Sequence, residues 1–362
     1  GQPGMGKAQP LYCNILTPTG FKKLSDLSVG DEVMGHDGKV QKVLGIYPQG
    51  IRPVYRIMTN DSAITYCDEE HIWTVRSSTG NSRKAGFKNV TLKEMIAKGI
   101  SCPLSPSRQS TTRKAIPRYE IPVAEAMDYP EKEYEVNPYI LGVLIGDGSL
   151  TGNVAMFSNP DMDNQILEEV KMLLPSVYSI RKNEAPQCPQ YSIVLRGNGE
   201  GYIQKIKRLG LNVHSGDKFI PSEYKLGSRE QRLALLRGLM DTDGHANKNR
   251  VSFSTSSRIL ADDFVHLVLS LGGIAKAVGY PSEDKGIEYR VTVNMSECPF
   301  TLERKAAQWK PVTPSRYIID AEKIEDSECV CIKVSNEDEL YITDDFIVTH
   351  NTTLALSAPN PV

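Results

Sequence analysis

The sequence lacks the features that would place a protein in a membrane or in an oxidising compartment. It has no apolar run that approaches a membrane span and no CxxC pair, and its seven cysteines are scattered. A chain of 362 residues needs no disulfide staples, so the sequence predicts reduced thiols in a soluble, cytoplasmic protein without signal peptide or membrane partner. Its 42 basic and 44 acidic residues nearly cancel, so any affinity for nucleic acid must come from a local patch.

An intact phosphate-binding loop is also missing. The chain opens with GQPGMGK and closes with TTLALSAPNPV, and only the joined ends read Gly-x-x-x-x-Gly-Lys-Thr before an apolar helix start. As it stands, Lys7 is followed by Ala-Gln-Pro, which offers no hydroxyl for magnesium and disturbs the helix that should follow. The sequence therefore predicts that an insertion separates residues 1–7 from residues 352–362 of a RecA-like ATPase.

The inserted part changes in character along its length. Residues 8–125 and 313–351 consist of short apolar runs separated by turn residues, which is typical of an all-β module. Residues 126–312 contain stretches with helical periodicity and caps, so we expect an α+β domain inside a split β domain. Residues 76–120 carry ten Lys or Arg against two Glu, a composition that fits a solvated loop or a DNA-contacting arm equally well.

Two segments of the predicted α+β domain share one plan. NPYILGVLIGDG and SREQRLALLRGLMDTDG each begin with a helix cap, carry a glycine in the middle of an apolar helix and finish at an aspartate. Because Gly142 and Gly238 weaken a helix, they make sense where two helices approach closely. The pattern predicts that Asp147 and Asp243 meet at the carboxyl ends of the helix pair. Paired carboxylates suit Mg²⁺, which can assist phosphodiester displacement.

These two segments resemble the paired motifs of LAGLIDADG homing endonucleases. The resemblance implies Asp147 and Asp243 as metal ligands, Mg²⁺ as cofactor, double-stranded DNA of the uninterrupted host gene as partner, and a monomer. The first copy departs from the family pattern at Ile145, where an earlier Asp is usual. DKFIPSEY resembles the segment that often carries a basic catalytic residue, which nominates Lys218. For its counterpart in the second half, the two candidates are Lys276 and Lys305.

An endonuclease inside a split β domain inside a broken P-loop resembles inteins, the self-excising proteins with a horseshoe-like Hint fold. The similarity extends from Ala8 to Asn351. LYITDDFIVTHN followed by Thr352 looks like a carboxyl splice junction. The side-chain amide of Asn351 can attack its own backbone carbonyl, His350 can protonate the leaving amine, and the Thr352 hydroxyl can hold an acyl group.

The upstream junction lacks the Cys or Ser with which most inteins begin. Three other features resemble class 3 inteins, which lack a nucleophile at their first residue. CDEEHIWTV places His71 at the conserved histidine, with Asp68 where Thr is usual and Trp73 two residues beyond. CVCIKV places Cys331 where many inteins have Asp, and Thr349 stands just before the junction histidine.

The resemblance to class 3 inteins implies a reaction path. Cys331 attacks the carbonyl of Lys7 to give a branched thioester, and His71 protonates the departing amine while Trp73 packs near the thiol. The acyl chain then passes to Thr352, Asn351 cyclises, and an O-to-N shift restores the uninterrupted phosphate loop.

Other interpretations of the sequence remain open. An ordinary class 1 intein whose first Cys was changed to Ala8 would be a trapped precursor, with Cys331 incidental. A working P-loop ATPase with a long insertion is a second alternative, and a nuclease domain that no longer cuts DNA is a third. A start at Cys13 is rejected because splicing there would leave AQPLY inside the nucleotide loop.

Overall fold

The chain folds into two compact units, and a computed structural model describes residues 7–78, 86–110, 115–183, 188–247, 250–282 and 286–350. One unit combines Gly1–Met127 with Ser315–Val362, and the other is Asp128–Pro314. These bounds lie two residues from the boundaries that the sequence suggests. Within the described ranges, no helix is both long enough and apolar enough to cross a membrane.

The split unit is built almost entirely of strands, as its short apolar runs predict. Its elements before the unit Asp128–Pro314, called the inserted unit below, are β1 Gln9–Pro10, β2 Asn14–Thr17, β3 Gly20–Lys23, β4 Glu32–Met34, β5 Val40–Arg52, β6 Val54–Thr59, β7 Ile64–Asp68, β8 Ile72–Ser77, β9 Lys88–Thr91, α1 Leu92–Lys98, β10 Ser101–Pro103, β11 Ala115–Pro117 and β12 Tyr119–Ile121. After the inserted unit come β21 Arg316–Lys323, β22 Ser327–Val334, β23 Leu340–Thr343 and β24 Ile347–His350.

Strands from both sides of the inserted unit share three of the four sheets described in the split unit. The sheet orders are β1-β22-β5-β4, β7-β6-β21-β12-β8-β9, β24-β23-β2-β3 and β10-β11. Gln9 pairs with Val330 in the antiparallel register of β1 and β22, which brings the start of the split unit beside its second part. The sheet topology therefore requires both parts of the split unit in one fold.

The basic segment 76–120 contains more regular structure than a loop, because β9, α1, β10 and β11 lie within it. α1 begins with a capping box between Thr91 and Glu94. Arg76 forms an ion pair of 2.6 Å with the buried Glu120, and the Lys93 ammonium lies 3.2 Å from the carboxylate of Glu70. Part of the basic charge is thus paired within the unit. Arg83, Lys84, Arg113 and Lys114, which also belong to the predicted arm, lie outside the described residues.

The inserted unit repeats one succession of elements. The first half contains α2 Pro138–Asp147, β13 Gly148–Ser149, β14 Met156–Ser158, α3 Asn164–Leu173, β15 Tyr178–Asn183, β16 Gln190–Leu195 and α4 Tyr202–Arg208. The second half contains α5 Arg229–Asp243, β17 Gly244–Asn247, β18 Arg250–Thr255, α6 Arg258–Ser270, β19 Ile274–Ser282, β20 Gly286–Asn294 and α7 Glu303–Ala306. The sheets have matching orders, β13-β14-β16-β15 and β17-β18-β20-β19.

The two predicted aspartate helices are confirmed. Asn137 caps α2 by accepting from the Tyr139 amide at 2.9 Å, and Ser228 forms the predicted capping box of α5. The helices touch through their glycines: a Cβ added to Gly142 would lie 2.4 Å from the Leu235 carbonyl oxygen and 2.9 Å from the Gly238 Cα. Only residues without a side chain allow this separation of the backbones.

Candidate functional sites

The peptide bond after Lys7 lies in the interior of the split unit. Ala8 is fully buried, and its carbonyl oxygen accepts a hydrogen bond of 3.0 Å from the Asp68 amide. Ala8 packs in a small cluster with Val54, Cys329 and Cys331. The structure therefore brings the predicted nucleophile, Cys331 on β22, to the side of the first residue of the insertion.

His71 follows β7 and faces the same junction. It is fully buried, and its Nε2 lies 2.5 Å from the Thr349 hydroxyl on β24. Burial, and then the positive charge of His350, lower the pKa of His71 to about 3, although the backbones of Lys7 and Ala8 hydrogen-bond to its ring. The imidazole is therefore neutral at neutral pH and can give a proton only after it has taken one up.

Trp73 packs near a different thiol from the one that the sequence suggested. Its ring meets the His71 ring edge-on, with centroids 5.6 Å apart. The hydrophobic cluster that contains Trp73 also contains Cys67, whereas Cys331 belongs to the cluster of Ala8. Trp73 therefore supports the position of the His71 ring through direct packing.

His350 ends β24 and lies close to the residue before the junction. Its Nδ1 is 3.4 Å from the Lys7 ammonium, and its Nε2 is 3.1 Å from the Asn89 side-chain amide. Lys7 and His350 are both almost completely buried. Asn351 and Thr352, the remaining residues of the predicted carboxyl junction, lie outside the described residues.

Sequence reasoning missed the residues that fix β1. The Gln9 amide nitrogen donates to the Thr65 hydroxyl at 3.3 Å and to the Tyr66 carbonyl at 3.1 Å, while the Tyr341 hydroxyl donates to the Gln9 carbonyl oxygen at 2.6 Å. This network joins the residue after Ala8 to two other sheets. No local sequence signal distinguishes Gln9, because its partners come from remote strands.

Asp68, which departs from the usual intein Thr, is a buried carboxyl at the junction. Burial raises its pKa to about 6, and the guanidinium of Arg52, 3.4 Å away, opposes that rise. Asp68 therefore changes charge in the weakly acidic range, close to the Ala8 carbonyl.

The two aspartates of the inserted unit converge at one cavity. The ends of α2 and α5 are close enough that a Cβ on Gly146 would lie 3.1 Å from Asp243 Oδ2. Asp147 and Asp243 both line a cavity of about 430 Å³, together with Lys218, Thr255 and Glu288 among others. Burial raises the pKa of Asp147, while the positive charges of Lys218 and Lys305 oppose that rise.

Two buried lysines occupy equivalent places at the ends of the two helices. Lys218 donates to the carbonyls of Gly146 and Gly148, both at 2.9 Å, at the end of α2. Lys305 donates to three carbonyls at the end of α5, those of residues 240, 241 and 242, at 2.6–3.0 Å. Burial lowers the pKa of both lysines. Lys276 instead lies on β19 opposite Thr292, so the geometry favours Lys305 as the counterpart of Lys218.

Ile145 stands in α2 where the resemblance leads one to expect an aspartate, and the equivalent residue of α5 is Asp241. Asp241 has a structural role. Asp241 is buried, accepts the Tyr139 hydroxyl at 2.9 Å and accepts the Thr301 and Leu302 amides at 3.0 Å. Burial raises the pKa of Asp241. Asp241 thus holds the segment before α7 in place, and Ile145 serves packing instead.

The donors at the helix ends fit a hard divalent cation. Two carboxylates from separate helices, Asp147 and Asp243, face one cavity that is large enough for water and a phosphate group. Oxygen ligands and remaining positions for water are the preference of Mg²⁺.

Comparisons with known proteins find one family match, together with similar sequences and solved structures. Residues 230–299 match the model of the LAGLIDADG-like domain. The replicative DNA helicase DnaB of Mycobacterium intracellulare is 29% identical to this chain. The alignment covers 98% of this chain and 60% of that relative. A crystal structure of the MchDnaB-1 intein covers 95% of this chain and 99% of its own, at 11% identity and a TM-score of 0.30. The homing endonuclease I-DmoI in complex with DNA and Ca covers 47% of this chain and 94% of its own, at 12% identity and a TM-score of 0.33.

The LAGLIDADG-like match falls within the inserted unit. The matched residues 230–299 include most of α5 with Asp243, and they lie within the unit that interrupts the split β unit. The junction motifs stand at the two ends of that split unit, in a chain that aligns almost throughout with a DnaB sequence. The chain is thus similar to a DnaB sequence almost throughout, and residues 230–299 match the LAGLIDADG-like domain.

Proposed function

We propose that this chain is an intein that excises itself by the class 3 route. The Cys331 sulfur forms a bond to the Lys7 carbonyl carbon, the bond from that carbon to the Ala8 nitrogen breaks, and the thiol proton ends on that nitrogen. The observation that carries the proposal is the shared burial of Ala8 and Cys331 in one cluster. A thiol that is held against its target gains from proximity and needs no diffusion.

His71 is the proton carrier in this step. Because its imidazole is neutral at neutral pH, it first accepts the proton of the Cys331 thiol and then gives it to the departing Ala8 nitrogen. The contact with Thr349 orients the ring, since a hydroxyl at Nε2 fixes which nitrogen faces the peptide.

The remaining steps join the flanking segments. The Thr352 oxygen attacks the thioester and takes over the acyl chain, and its proton returns to the Cys331 sulfur. The Asn351 side-chain nitrogen then attacks its own carbonyl carbon and breaks the bond to Thr352, with His350 protonating the freed amine. That amine captures the acyl group, which leaves a Lys7–Thr352 peptide bond.

The matched variants Cys331→Ala and Cys329→Ala test this route. Both thiols belong to the cluster around Ala8 on the same strand, so a packing effect should be similar for both. We expect Cys331→Ala to abolish the branched thioester and splicing, and Cys329→Ala to retain both, as followed by mass spectrometry. Splicing by Cys331→Ala would overturn the route. If the chain is instead a trapped class 1 precursor, Ala8→Cys will splice even with Cys331→Ala.

We also propose that the inserted unit cleaves double-stranded DNA of the uninterrupted host gene as a monomer with Mg²⁺. Asp147 and Asp243 would hold the cation, which supplies charge stabilisation and an activated water when bound. The positive charges of Lys218 and Lys305 act on Asp147, and Lys218 lines the cavity that a phosphate would enter.

Cleavage of a plasmid that carries the rejoined host gene tests the nuclease proposal. We expect cleavage in Mg²⁺ that Asp147→Asn or Asp243→Asn lowers by at least ~10²-fold, since each carboxylate would be a metal ligand. Glu288→Gln, at the same cavity, is the matched control. Absence of cleavage by the unaltered chain would favour the alternative of an inactive nuclease domain.

The flanking segments are proposed to belong to a DnaB-type ATPase. The alignment to the mycobacterial helicase and the split phosphate loop support this host. Lys7, the lysine of that loop, is 6% exposed in the unspliced chain, so its ammonium is withheld from nucleotide. Nucleotide binding should therefore appear only after splicing, and binding by the unspliced chain would favour the P-loop ATPase interpretation.

A further inference from the structure

Glu339 occupies a turn position that does not suit its side chain. It lies between β22 and β23 with φ of 59°, in the left-handed region that favours Gly or Asn. Side chains of the same turn fix its backbone: Asn336 donates to the Leu340 carbonyl at 3.0 Å, and Asp338 accepts the Leu340 amide at 3.0 Å. Backbone conformation therefore does not explain a glutamate here.

The Glu339 carboxylate is aimed at the junction. Its Oε2 lies 3.8 Å from the Lys7 ammonium and 3.7 Å from His350 Nδ1, and these two nitrogens are 3.4 Å apart. The side chains of Lys7 and His350 are 6% and 5% exposed, whereas that of Glu339 is 24% exposed. The three groups form a small cluster in which one anion faces two groups that can be cationic.

This cluster links residues of different origin. Lys7 is the last host residue before the scissile bond, and His350 belongs to the carboxyl junction. Burial lowers the pKa of Lys7, and the negative charge of Glu339 opposes that change. Without the carboxylate, a buried ammonium would lie beside an imidazole with less compensation for the loss of water.

We propose that Glu339 is a positioning and specificity residue that recognises a basic host residue before the scissile bond and couples it to His350. The inference rests on the proposed splicing function. The Glu339 carboxylate holds the Lys7 side chain in the interior, which fixes the direction of the Lys7 carbonyl toward Cys331. The same contact holds His350 for the later cleavage step. Splicing of this intein therefore responds to the charge of the host residue at position 7.

A double-mutant cycle tests the coupling in the full chain. The variants are Lys7→Met, Glu339→Gln and their combination, with the rate of branched-thioester formation as readout. Residues in direct contact couple, so we expect each single variant to slow this step about fivefold to tenfold and the combination to slow it no further. The exchanged pair Lys7→Glu with Glu339→Lys should regain most of the rate. Glu337→Gln, an exposed glutamate of the same turn, should leave the rate unchanged.

The outcomes separate this inference from the proposed function. Single-variant effects that multiply in the combination, an exchanged pair that remains slow, or equal rates for Glu339→Gln and Glu337→Gln would each overturn the role of Glu339. The fluorescence of Trp73 checks that the variants keep the fold. Cys331→Ala is measured in parallel: if it still splices, the proposed route fails, whereas loss of splicing there with an indifferent Glu339→Gln overturns only the present inference.

Discussion

The two sites of this chain differ most in their access to solvent. Around the proposed splice junction, Ala8, His71, Cys331 and Thr349 are all at most 1% exposed. In the inserted unit, Asp147 and Asp243 instead line a cavity of about 430 Å³, while the neighbouring Lys218 and Lys305 are buried. One site is closed by packing and the other is open on one side.

This difference follows from where the substrate comes from. A splice junction is part of the polypeptide that folds around it, so the site can be assembled once and needs no entrance. A nuclease must admit a foreign phosphodiester, so its carboxylates need a cavity and only its supporting groups can be buried. The comparison predicts that packing and buried charge govern the first site, whereas helix ends and their charges govern the second.

The largest expected effect at the closed site is the loss of stability when a buried ion pair is broken. Arg316 donates to Asp61 Oδ2 at 2.6 and 3.0 Å and to the Phe346 carbonyl at 2.8 Å. This carbonyl belongs to a turn with φ of 56°, directly before β24 with its Thr349 and His350. Because Arg316→Met leaves the Asp61 charge uncompensated, we expect the split unit to lose ~3–5 kcal/mol of unfolding free energy, with slower splicing.

Denaturation followed by Trp73 fluorescence measures that loss. The chain has two tryptophans, so Trp309→Phe leaves one reporter in the split unit, and Cys331→Ala keeps the chain intact. Arg56→Met is the control, since its pair with Glu322 is exposed and should contribute less than ~1 kcal/mol. Equal losses for the two arginines would contradict a special dependence on buried charge.

Two titrations at the closed junction are expected to oppose each other. His71 has a pKa of about 3 in the fold against 6.5 unfolded, so the unfolded chain binds the proton more tightly and stability falls as pH falls below 6.5. Asp68 has a pKa of about 6 against 3.8, so the folded chain binds the proton more tightly and stability rises as pH falls below 6.

The two effects nearly cancel between pH 6.5 and pH 4, where each amounts to ~3 kcal/mol. We therefore expect Asp68→Asn to steepen the acid loss of unfolding free energy and His71→Asn to reverse its sign. Urea denaturation across this pH range, again with Trp73 as reporter, checks both. Parallel pH profiles for the two variants would show that these groups do not titrate as the buried junction requires.

The helix contact of the open site should respond differently. A Cβ at Gly142 would meet backbone atoms of Leu235 and Leu239 at 2.4 and 2.8 Å, and backbone cannot move aside as a flexible side chain can. Gly142→Ala should cost the inserted unit roughly 1–3 kcal/mol and weaken DNA cleavage, with splicing unchanged. Gly216→Ala, where an added Cβ meets open space, is the control. Slower splicing in Gly142→Ala would contradict the independence of the two sites.

Local signals explain what the sequence predicted well. The caps of α2 and α5 and the glycines at their contact are short-range features, and both helices end at the aspartates as predicted. The hydrogen bond from Tyr341 to Gln9 and the approach of Glu339 to Lys7 each join residues more than 300 positions apart. The bonds from Gln9 to β7 also join separate strands, although these are closer along the chain. Such contacts depend on sheet order, which no local pattern reveals.

The choice between Lys276 and Lys305 shows the same limit at the open site. Both follow α5 at a distance, and neither lies in a segment with a distinctive pattern. Only the chain path brings Lys305 to the last carbonyls of α5 and leaves Lys276 on β19. The roles of these lysines in cleavage remain predictions.

The smallest expected effect is the difference in unfolding free energy between variants of the two helix-end lysines. Lys305 donates to three carbonyls and Lys218 to two, so removing Lys305 breaks one more hydrogen bond. We expect Lys305→Met to destabilise the inserted unit by about 1 kcal/mol more than Lys218→Met, because one such hydrogen bond contributes about that much. Trp309 fluorescence in a Trp73→Phe background reports this unit, and Lys276→Met serves as control. An equal loss of unfolding free energy for Lys305→Met and Lys276→Met would mean that the lysine does not stabilise the carbonyls at the helix end. The two halves of the inserted unit would then correspond in their backbone elements but not in the role of these lysines.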